Sequence, residues 1–295
     1  MKVCLTGASG LLGKELTSVA ASQGIEVIPL VRSKSQEGIF WDPVQGEIDS
    51  DSMNGCDAII HLAGENISTG RWNDSKKQKI RSSRVDGTKL IASTAAKLQS
   101  QPSTLISASA IGFYGNRGDD IMTEESSVGS GFLADVCHDW ELANKDAWEA
   151  GVRVAQMRIG VILSTKGGAL HKMLPPFKMG VGGKIGSGAQ YMSWIAIDDV
   201  VGAILHVLNN SSVHGAVNTV APNPVTNLQF TKSLGRAIKR PTIFPMPAFA
   251  AKLVFGEMAN DLLLSSTRVV PERLKQSGYE FQFPELDSAF SHLLS

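Results

Sequence analysis

The chain has only three cysteines, and they do not form a metal-binding pattern. Cys4, Cys56 and Cys137 lie far apart in the sequence, whereas structural zinc sites use closely spaced pairs of Cys or His ligands. A sparse, odd number of cysteines is typical of a reducing compartment, where disulfides are rare. We therefore expect no metal site and a cytoplasmic location.

The sequence also lacks an excess of charge and a long apolar run. It contains 28 Lys+Arg and 28 Asp+Glu residues, so its overall charge favours neither nucleic acid nor an anionic membrane. No window holds the roughly 18 uninterrupted apolar residues of a membrane span, and residues 2–6 resemble a strand rather than a targeting segment. We expect a small-molecule substrate, no nucleic acid and no membrane, while a homodimer or a protein partner stays possible.

Short apolar runs alternate with helical segments in the first half of the chain. Hydrophobic residues make up 43% of the sequence, which excludes a disordered chain. Runs without strict alternation are typical of strands buried on both faces. Their order predicts an α/β, Rossmann-type fold, a doubly wound parallel sheet with helices on both faces. The predicted strands are 2–6, 26–31, 57–63, 104–109 and 152–163, and the predicted helices are 11–23, 73–98 and 133–150.

The second half of the chain differs in composition. Residues 164–195 are rich in Gly, Pro and Met, and residues 245–295 have a mostly helical pattern. We predict a cofactor-binding domain at 1–165, with its sheet completed by 190–222. A smaller, mostly helical substrate lobe is predicted at 166–295.

A glycine-rich turn joins the first predicted strand to the first predicted helix. Its glycines allow a tight turn, close backbone approach to a pyrophosphate, and close packing of helix on strand. The helix N-terminus then favours the bound anion. The strand–turn–helix context predicts dinucleotide binding. The residues of the turn are Thr6, Gly7, Gly10, Leu11, Leu12 and Gly13.

The end of the second predicted strand indicates which dinucleotide binds. NAD-binding domains of this kind place an acidic residue about 20 positions past the last glycine, where it binds the ribose 2′-hydroxyl. This chain has Arg32 there, after Val31, and a guanidinium pairs well with a 2′-phosphate. The sequence therefore predicts NADP(H), although a solvated basic strand end would give the same pattern.

Two further segments point to the same crevice. Leu62, Ala63 and Gly64 end the third predicted strand, and such small residues would let the backbone lie against the cofactor. Arg84 lies on the following helix and could reach the crevice, with a solvated basic face as the alternative reading.

Several longer motifs occur in a fixed order along nearly the whole chain. They are the glycine turn, Trp41-Asp42-Pro43, Leu62-Ala63-Gly64-Glu65-Asn66-Ile67, Arg71-Trp72, Val85-Asp86-Gly87-Thr88, Ser107-Ala108-Ser109, Tyr114-Gly115, Met173-Leu174-Pro175-Pro176-Phe177, the Gly182–Gly188 segment and Trp194-Ile195. Together they resemble the extended short-chain dehydrogenases/reductases. The resemblance is greater to an atypical NAD-dependent epimerase/dehydratase-like group with a C-terminal domain of unknown function, here at about 245–293.

This resemblance implies an NADP(H)-binding fold, oxidoreductase chemistry and specific cofactor contacts. The family does not define the substrate. The cofactor contacts that it implies are Val31, Arg32, Leu62, Ala63, Lys79, Arg84 and Ile162.

The usual catalytic pair of the superfamily is missing. Its members place Tyr and Lys four residues apart on one helix face, and the Lys helps the phenol to move a proton. No Tyr-x-x-x-Lys occurs here. By position before the strand that contains Arg158, Cys137 would replace the Tyr and Glu141 the Lys. Ser109 and Tyr114 are the candidate catalytic substitutes, with packing against the cofactor and shaping of the loop as the alternative.

The lobe suggests an apolar substrate. The glycine-rich segment 180–188 is expected to be a mobile loop facing the substrate. A pocket or an interdomain core is expected from Met173, Phe177, Met179, Met192 and Trp194. The leading hypothesis is an NADP(H)-dependent oxidoreductase for a small, fairly apolar carbonyl or alcohol. The alternatives are a nucleotide-sugar epimerase and a non-catalytic NADP(H)-binding sensor or scaffold.

Overall fold

The computed structural model describes residues 1–295 and alternates strands with helices through its first half. The strands, in chain order, are β1 (Lys2–Thr6), β2 (Glu26–Val31), β3 (Ile39–Asp42), β4 (Glu47–Ile48), β5 (Ala58–His61), β6 (Thr104–Ala110), β7 (Ile121–Met122), β8 (Arg153–Ile159), β9 (Val161–Leu163), β10 (Tyr191–Met192), β11 (Trp194–Ala196), β12 (Gly215–Thr219), β13 (Val225–Thr226) and β14 (Arg268–Val269). The helices are α1 (Leu11–Ser22), α2 (Ser50–Met53), α3 (Asp74–Lys97), α4 (Phe132–Leu142), α5 (Lys145–Glu149), α6 (Gly168–Lys178), α7 (Ile197–Asn209), α8 (Asn227–Ala237), α9 (Ala248–Phe255), α10 (Met258–Leu262), α11 (Glu272–Gln276) and α12 (Leu286–Leu293).

Eight of the strands form one central sheet, in the order β12-β8-β6-β5-β1-β2-β3-β4. All neighbours are parallel except β3 and β4, which pair antiparallel at one edge. Helices α1 and α7 pack together on one face of the sheet, and α3, α4 and α5 pack on the other. The predicted doubly wound α/β fold is confirmed.

The central strands owe their place to continuous apolar sequence. Every residue of β5 is buried, as are four of the five residues of β1, because both faces of these strands are covered by helices. The final strand of the sheet, β12, comes from within the stretch 190–222 that we expected to complete it.

Two predicted elements are each divided in the structure. The strand expected at 152–163 changes partner at Gly160, whose N–H bonds to Thr219, while the N–H of Val161 bonds to Ser193. It therefore becomes β8 in the central sheet and β9 beside β11. The helix expected at 133–150 breaks after Leu142, where the side chain of Asn144 bonds to carbonyl oxygens of the preceding turn.

A smaller lobe packs on the carboxyl end of the sheet. Its core lies between α6, α8 and α12. The C-terminal segment is tied back to the first domain by the pairing of β14 with β7 and by the buried carboxylate of Asp199. That carboxylate accepts bonds from the Tyr279 hydroxyl and from the N–H groups of Gln282 and Phe283. None of the helices combines the length and the apolar composition needed to cross a bilayer.

Candidate cofactor and active site

The sheet order reverses beside the carboxyl end of β1, where we expected the cofactor crevice. The strands that follow β1 in the chain lie on both of its sides, β2 on one and β5 on the other, and such switch points bind ligands in open α/β sheets. The glycine turn lies there. Gly7 has a φ of +73°, and a Cβ on it would lie 3.0 Å from the backbone nitrogen of Ala63. A Cβ on Gly13 would lie 2.2 Å from the carbonyl oxygen of Gly7. The turn therefore has no room for side chains at these positions.

The N-terminus of α1 is free to bind an anion. Gly10 precedes the helix, no side chain caps it, and its first turn contains no acidic residue. Its unpaired N–H groups and the helix dipole both favour a phosphate group. The packed turn and the uncapped helix therefore fit the pyrophosphate of a dinucleotide.

The crevice floor is fixed by hydrogen bonds to one hydroxyl. Thr6 Oγ1 accepts the N–H groups of Leu62, at 3.1 Å, and Ala63, at 3.2 Å, and it lies 2.7 Å from Nδ1 of His61. Because that oxygen already accepts two bonds, its proton points to the imidazole. Burial lowers the pKa of His61 to about 4. The histidine is therefore a neutral packing residue that holds the strand end in place.

Arg32 follows β2 and is exposed at the rim of the crevice. It takes part in none of the salt bridges of the chain. The nearby ammonium of Lys34 lies 4.8 Å from the centre of the Phe40 ring. The guanidinium of Arg32 is therefore free to pair with a phosphate.

The two basic residues predicted on α3 are placed differently. Arg84 points inward: it donates to the carbonyl oxygen of Glu65 at 3.1 Å and lies 5.0 Å from the Trp140 ring. A Cβ on Gly64 would lie 3.5 Å from its guanidinium carbon. Burial lowers the pKa of Arg84, although the guanidinium stays charged at neutral pH. Lys79 is exposed, so the structure brings Arg84 but not Lys79 against the end of β5.

Ile162 lies on the opposite wall, close to the first turn of α1. Its carbonyl oxygen lies 3.8 Å from a Cβ built on Gly168, and the same Cβ would contact the side chain of Leu11 at 3.5 Å. Leu12 packs against the core that α1 and α7 form with the central strands. The structure therefore brings Leu11 and Ile162 together beside the glycine turn.

A buried ion pair lies behind the end of β6. Arg158 donates two bonds of 2.8 Å to the two carboxylate oxygens of Glu141, and the side chains of both residues are almost fully buried. Ser109 donates to the same carboxylate at 2.7 Å. Arg158 therefore holds Glu141, the residue that we expected at the position of the superfamily's lysine.

Tyr114 belongs to the same network. Its hydroxyl accepts a bond of 2.9 Å from Arg158 and donates one of 2.6 Å to Asn218. Burial raises the pKa of Tyr114 to about 12. The backbone N–H of Asn218 bonds in turn to Glu124, whose pKa is also raised by burial.

These contacts give the two candidate catalytic hydroxyls a structural task. Ser109 and Tyr114 are both buried, and each already donates its proton to a protein oxygen. Their catalytic role stays a prediction. Sequence reasoning did not connect them to Arg158, although a charged residue inside the apolar run of β8 indicates a buried partner. Nothing in the local sequence marks Asn218.

The segment after β6 packs closely against apolar residues of α4. Gly112 follows β6, and a Cβ on it would lie 3.3 Å from the Leu133 side chain and 3.5 Å from Sγ of Cys137. Burial raises the pKa of Cys137 to about 12. This thiol is therefore neither a nucleophile nor a base at neutral pH.

Most of the residues from which we expected a pocket or an interdomain core lie in or against the core of the lobe. Trp194 and Phe177 are buried in the lobe core, Met173 and Met192 pack against that core, and Met179 is exposed. The segment 180–188 is packed rather than free, because a Cβ on Gly183 would overlap the carbonyl group of Phe244. Four of the five residues therefore belong to a core or pack against it, and their place in a substrate pocket stays a prediction.

The fold and the crevice together define a dinucleotide-binding protein of the Rossmann type. Residues 3–221 match the NAD dependent epimerase/dehydratase family, and residues 246–293 match a domain of unknown function, DUF1731. The chain belongs to the NAD dependent epimerase/dehydratase family, and the resemblance found in its motifs is confirmed.

Several relatives match this chain over most of their length. Epimerase family protein Mb2239 of Mycobacterium bovis is 39% identical over 292 residues, which cover 98% of this chain and 96% of that protein. The crystal structure of human epimerase family protein SDR39U1 with NADPH has a TM-score of 0.93 at 33% identity, covering 99% of both chains. A UDP-N-acetylglucosamine 4-epimerase from Bacillus cereus has a TM-score of 0.77 at 14% identity, covering 99% of this chain and 98% of that chain, and shows the shared fold only.

Proposed function

We propose that this protein is an NADP(H)-dependent oxidoreductase acting on a small, fairly apolar carbonyl or alcohol. The observation that carries the proposal is the side-chain-free turn below an uncapped helix, with a free arginine at the rim. The human relative crystallised with NADPH supports the choice of cofactor. The predicted cytoplasmic location agrees with a supply of reduced NADPH but stays a prediction.

The chain's own residues would bind and orient the cofactor. The N–H groups at the start of α1 would hold the pyrophosphate, and Arg32 the 2′-phosphate. Arg84 holds the backbone after β5 in place. When bound, NADPH supplies a hydride to the substrate. The residues of α4 that face Gly112 after β6 are Leu133 and Cys137, and their apolar character supports an apolar substrate.

Reduction of a carbonyl also needs a proton donor. The candidates are Ser109 and Tyr114, whose protons are held by Glu141 and Asn218. Variants Ser109→Ala and Tyr114→Phe separate the two tasks of these hydroxyls. Removal of a catalytic proton donor would lower kcat and leave the melting temperature unchanged. Removal of a structural hydroxyl would instead lower the melting temperature.

The test of the proposal is turnover under anaerobic conditions. NADPH-loaded protein is mixed with a panel of aldehydes and ketones of increasing apolar length, and the nicotinamide absorbance is followed. We expect oxidation of NADPH with at least one apolar carbonyl, and Arg32→Ala should slow it mainly through cofactor affinity. Tight NADPH binding without turnover across the panel would contradict the oxidoreductase function.

A second candidate function is a cofactor-binding sensor without catalysis. It is favoured by one observation, the use of both candidate hydroxyls in a buried network around Arg158. A sensor predicts that NADPH protects the lobe from hydrogen exchange while no substrate is turned over. A nucleotide-sugar epimerase is less favoured, because the chain has no Tyr-x-x-x-Lys pair.

A further inference from the structure

One face of the lobe exposes a group of large apolar side chains. It consists of residues 178–184 and 239–254, which we call the lobe surface. The two stretches are joined by a β-bridge between Ile185 and Met246 and by a 2.8 Å bond from the N–H of Met246 to Lys184. The most exposed of these side chains, each between 70% and 74% accessible, are Met179, Ile243, Phe249 and Leu253.

Helix α9 provides the regular part of this surface. Phe249 and Leu253 are four residues apart, so they share one face of the helix, and both project into solvent while Ala251 is buried. Single exposed apolar residues are normal, but a contiguous group of them marks an interaction site.

The charges of the lobe surface are all of one sign. Neither stretch contains Asp or Glu, in a chain whose formal net charge is zero. Glu257, which follows α9, is already paired with Lys77. The basic residues of the surface are Lys178, Lys184, Lys239, Arg240 and Lys252.

We propose that the lobe surface docks on an anionic lipid bilayer. Its apolar side chains would enter the boundary between headgroups and acyl chains, and its lysines would face the anionic headgroups. We expected no membrane association because the chain as a whole has no net charge. The lobe surface, however, carries only positive charges. The proposal concerns peripheral docking only.

The charge pattern favours a bilayer over a second copy of the chain. A twofold contact through this surface would bring two all-positive patches together. An acidic protein partner is therefore the outcome against which the bilayer must be tested.

The experiment is co-sedimentation of the full chain with vesicles of phosphatidylcholine, with or without phosphatidylserine. We expect binding to the phosphatidylserine vesicles, weakened by added salt. Lys252→Glu should lower the affinity about fivefold or more, and Phe249→Gln with Leu253→Gln about tenfold or more. Val44→Gln, at an exposed apolar residue of the other domain, is the matched control and should bind as the parent does. Thermal melts establish that each variant is folded.

Three results would overturn the proposal. The first is a parent protein that does not sediment with phosphatidylserine vesicles. The second is a Phe249/Leu253 double variant that binds them as well as the parent. The third is binding of polyglutamate, but not of vesicles, in a manner that depends on Phe249 and Leu253, which would assign the surface to an acidic protein partner.

Discussion

Replacement of Glu141 by glutamine removes the charge that balances Arg158. Glutamine keeps the shape of the side chain and one oxygen that accepts hydrogen bonds, so Ser109 or Arg158 retains a partner. The guanidinium is nevertheless left buried without a counter-charge. Glu141→Lys is worse, because it places a second cation beside Arg158. Both variants should therefore be less stable than the parent, with the lysine variant the less stable of the two.

The expected loss follows from the burial of the pair. The side chains of Arg158 and Glu141 are 5% and 10% exposed and are joined by two 2.8 Å bonds. Removal of one partner from such a pair costs about 3–5 kcal/mol. Because glutamine keeps part of the hydrogen bonding, we expect about 3 kcal/mol for Glu141→Gln. In a chain of this size that corresponds to a fall in Tm of about 6–12 °C.

Thermal melts and urea titrations of the apo protein measure this loss. The control is the double variant Glu141→Met with Arg158→Met, which removes both charges and should regain at least half of the lost stability. A Glu141→Gln variant that melts together with the parent would refute the reasoning. If that variant kept its stability and its NADPH affinity but lost turnover, Glu141 would instead be a leading catalytic candidate.

Three further predictions concern the crevice. Gly7→Ala should weaken NADPH binding about tenfold or more. The control is Gly24→Ala, because Gly24 has the same φ of +73° but lies in open space, and this variant should only destabilise the fold by about 1–2 kcal/mol. Equal NADPH affinities of the two variants in a fluorescence titration would contradict the prediction. Arg32→Ala should cost about 1.5–3 kcal/mol of NADPH binding and leave NADH binding unchanged, and equal losses for the two cofactors would remove the 2′-phosphate assignment. Burial lowers the pKa of His61 to about 4 in the folded protein. As the pH falls below about 6.5, the imidazole is therefore protonated in the unfolded chain before it is protonated in the folded one. The free energy of unfolding should consequently fall by about 3 kcal/mol by pH 4. Urea titrations across this range should show a shallower fall for His61→Asn, and an identical slope would show that His61 is not the group responsible.

The sequence predicted most of the fold and the position of the glycine turn. Continuous apolar runs fix buried parallel strands, and the position of the glycine turn between a strand and a helix fixes the crevice, because both signals are local. The contacts of Arg158 are not local: they join β8 to α4 and to the segment after β6. The prediction of a mobile loop at 180–188 was wrong for a related reason. Gly183 packs closely against Phe244, which lies about 60 positions further along the chain. Composition alone does not distinguish a free loop from a packed one.

The hydrogen bonds to the buried carboxylate of Asp199 have a consequence for synthesis of the chain. The carboxylate lies in the first turn of α7, yet its partners Tyr279, Gln282 and Phe283 follow 80 to 84 positions later in the chain and leave the ribosome after it. Strand β7 likewise waits for β14. The cofactor domain therefore emerges with a carboxylate and a strand that still lack their partners, and it reaches its full stability only once residues 268–283 have been made. The regions that match at 3–221 and 246–293 are thus tied together by buried contacts of the folded chain.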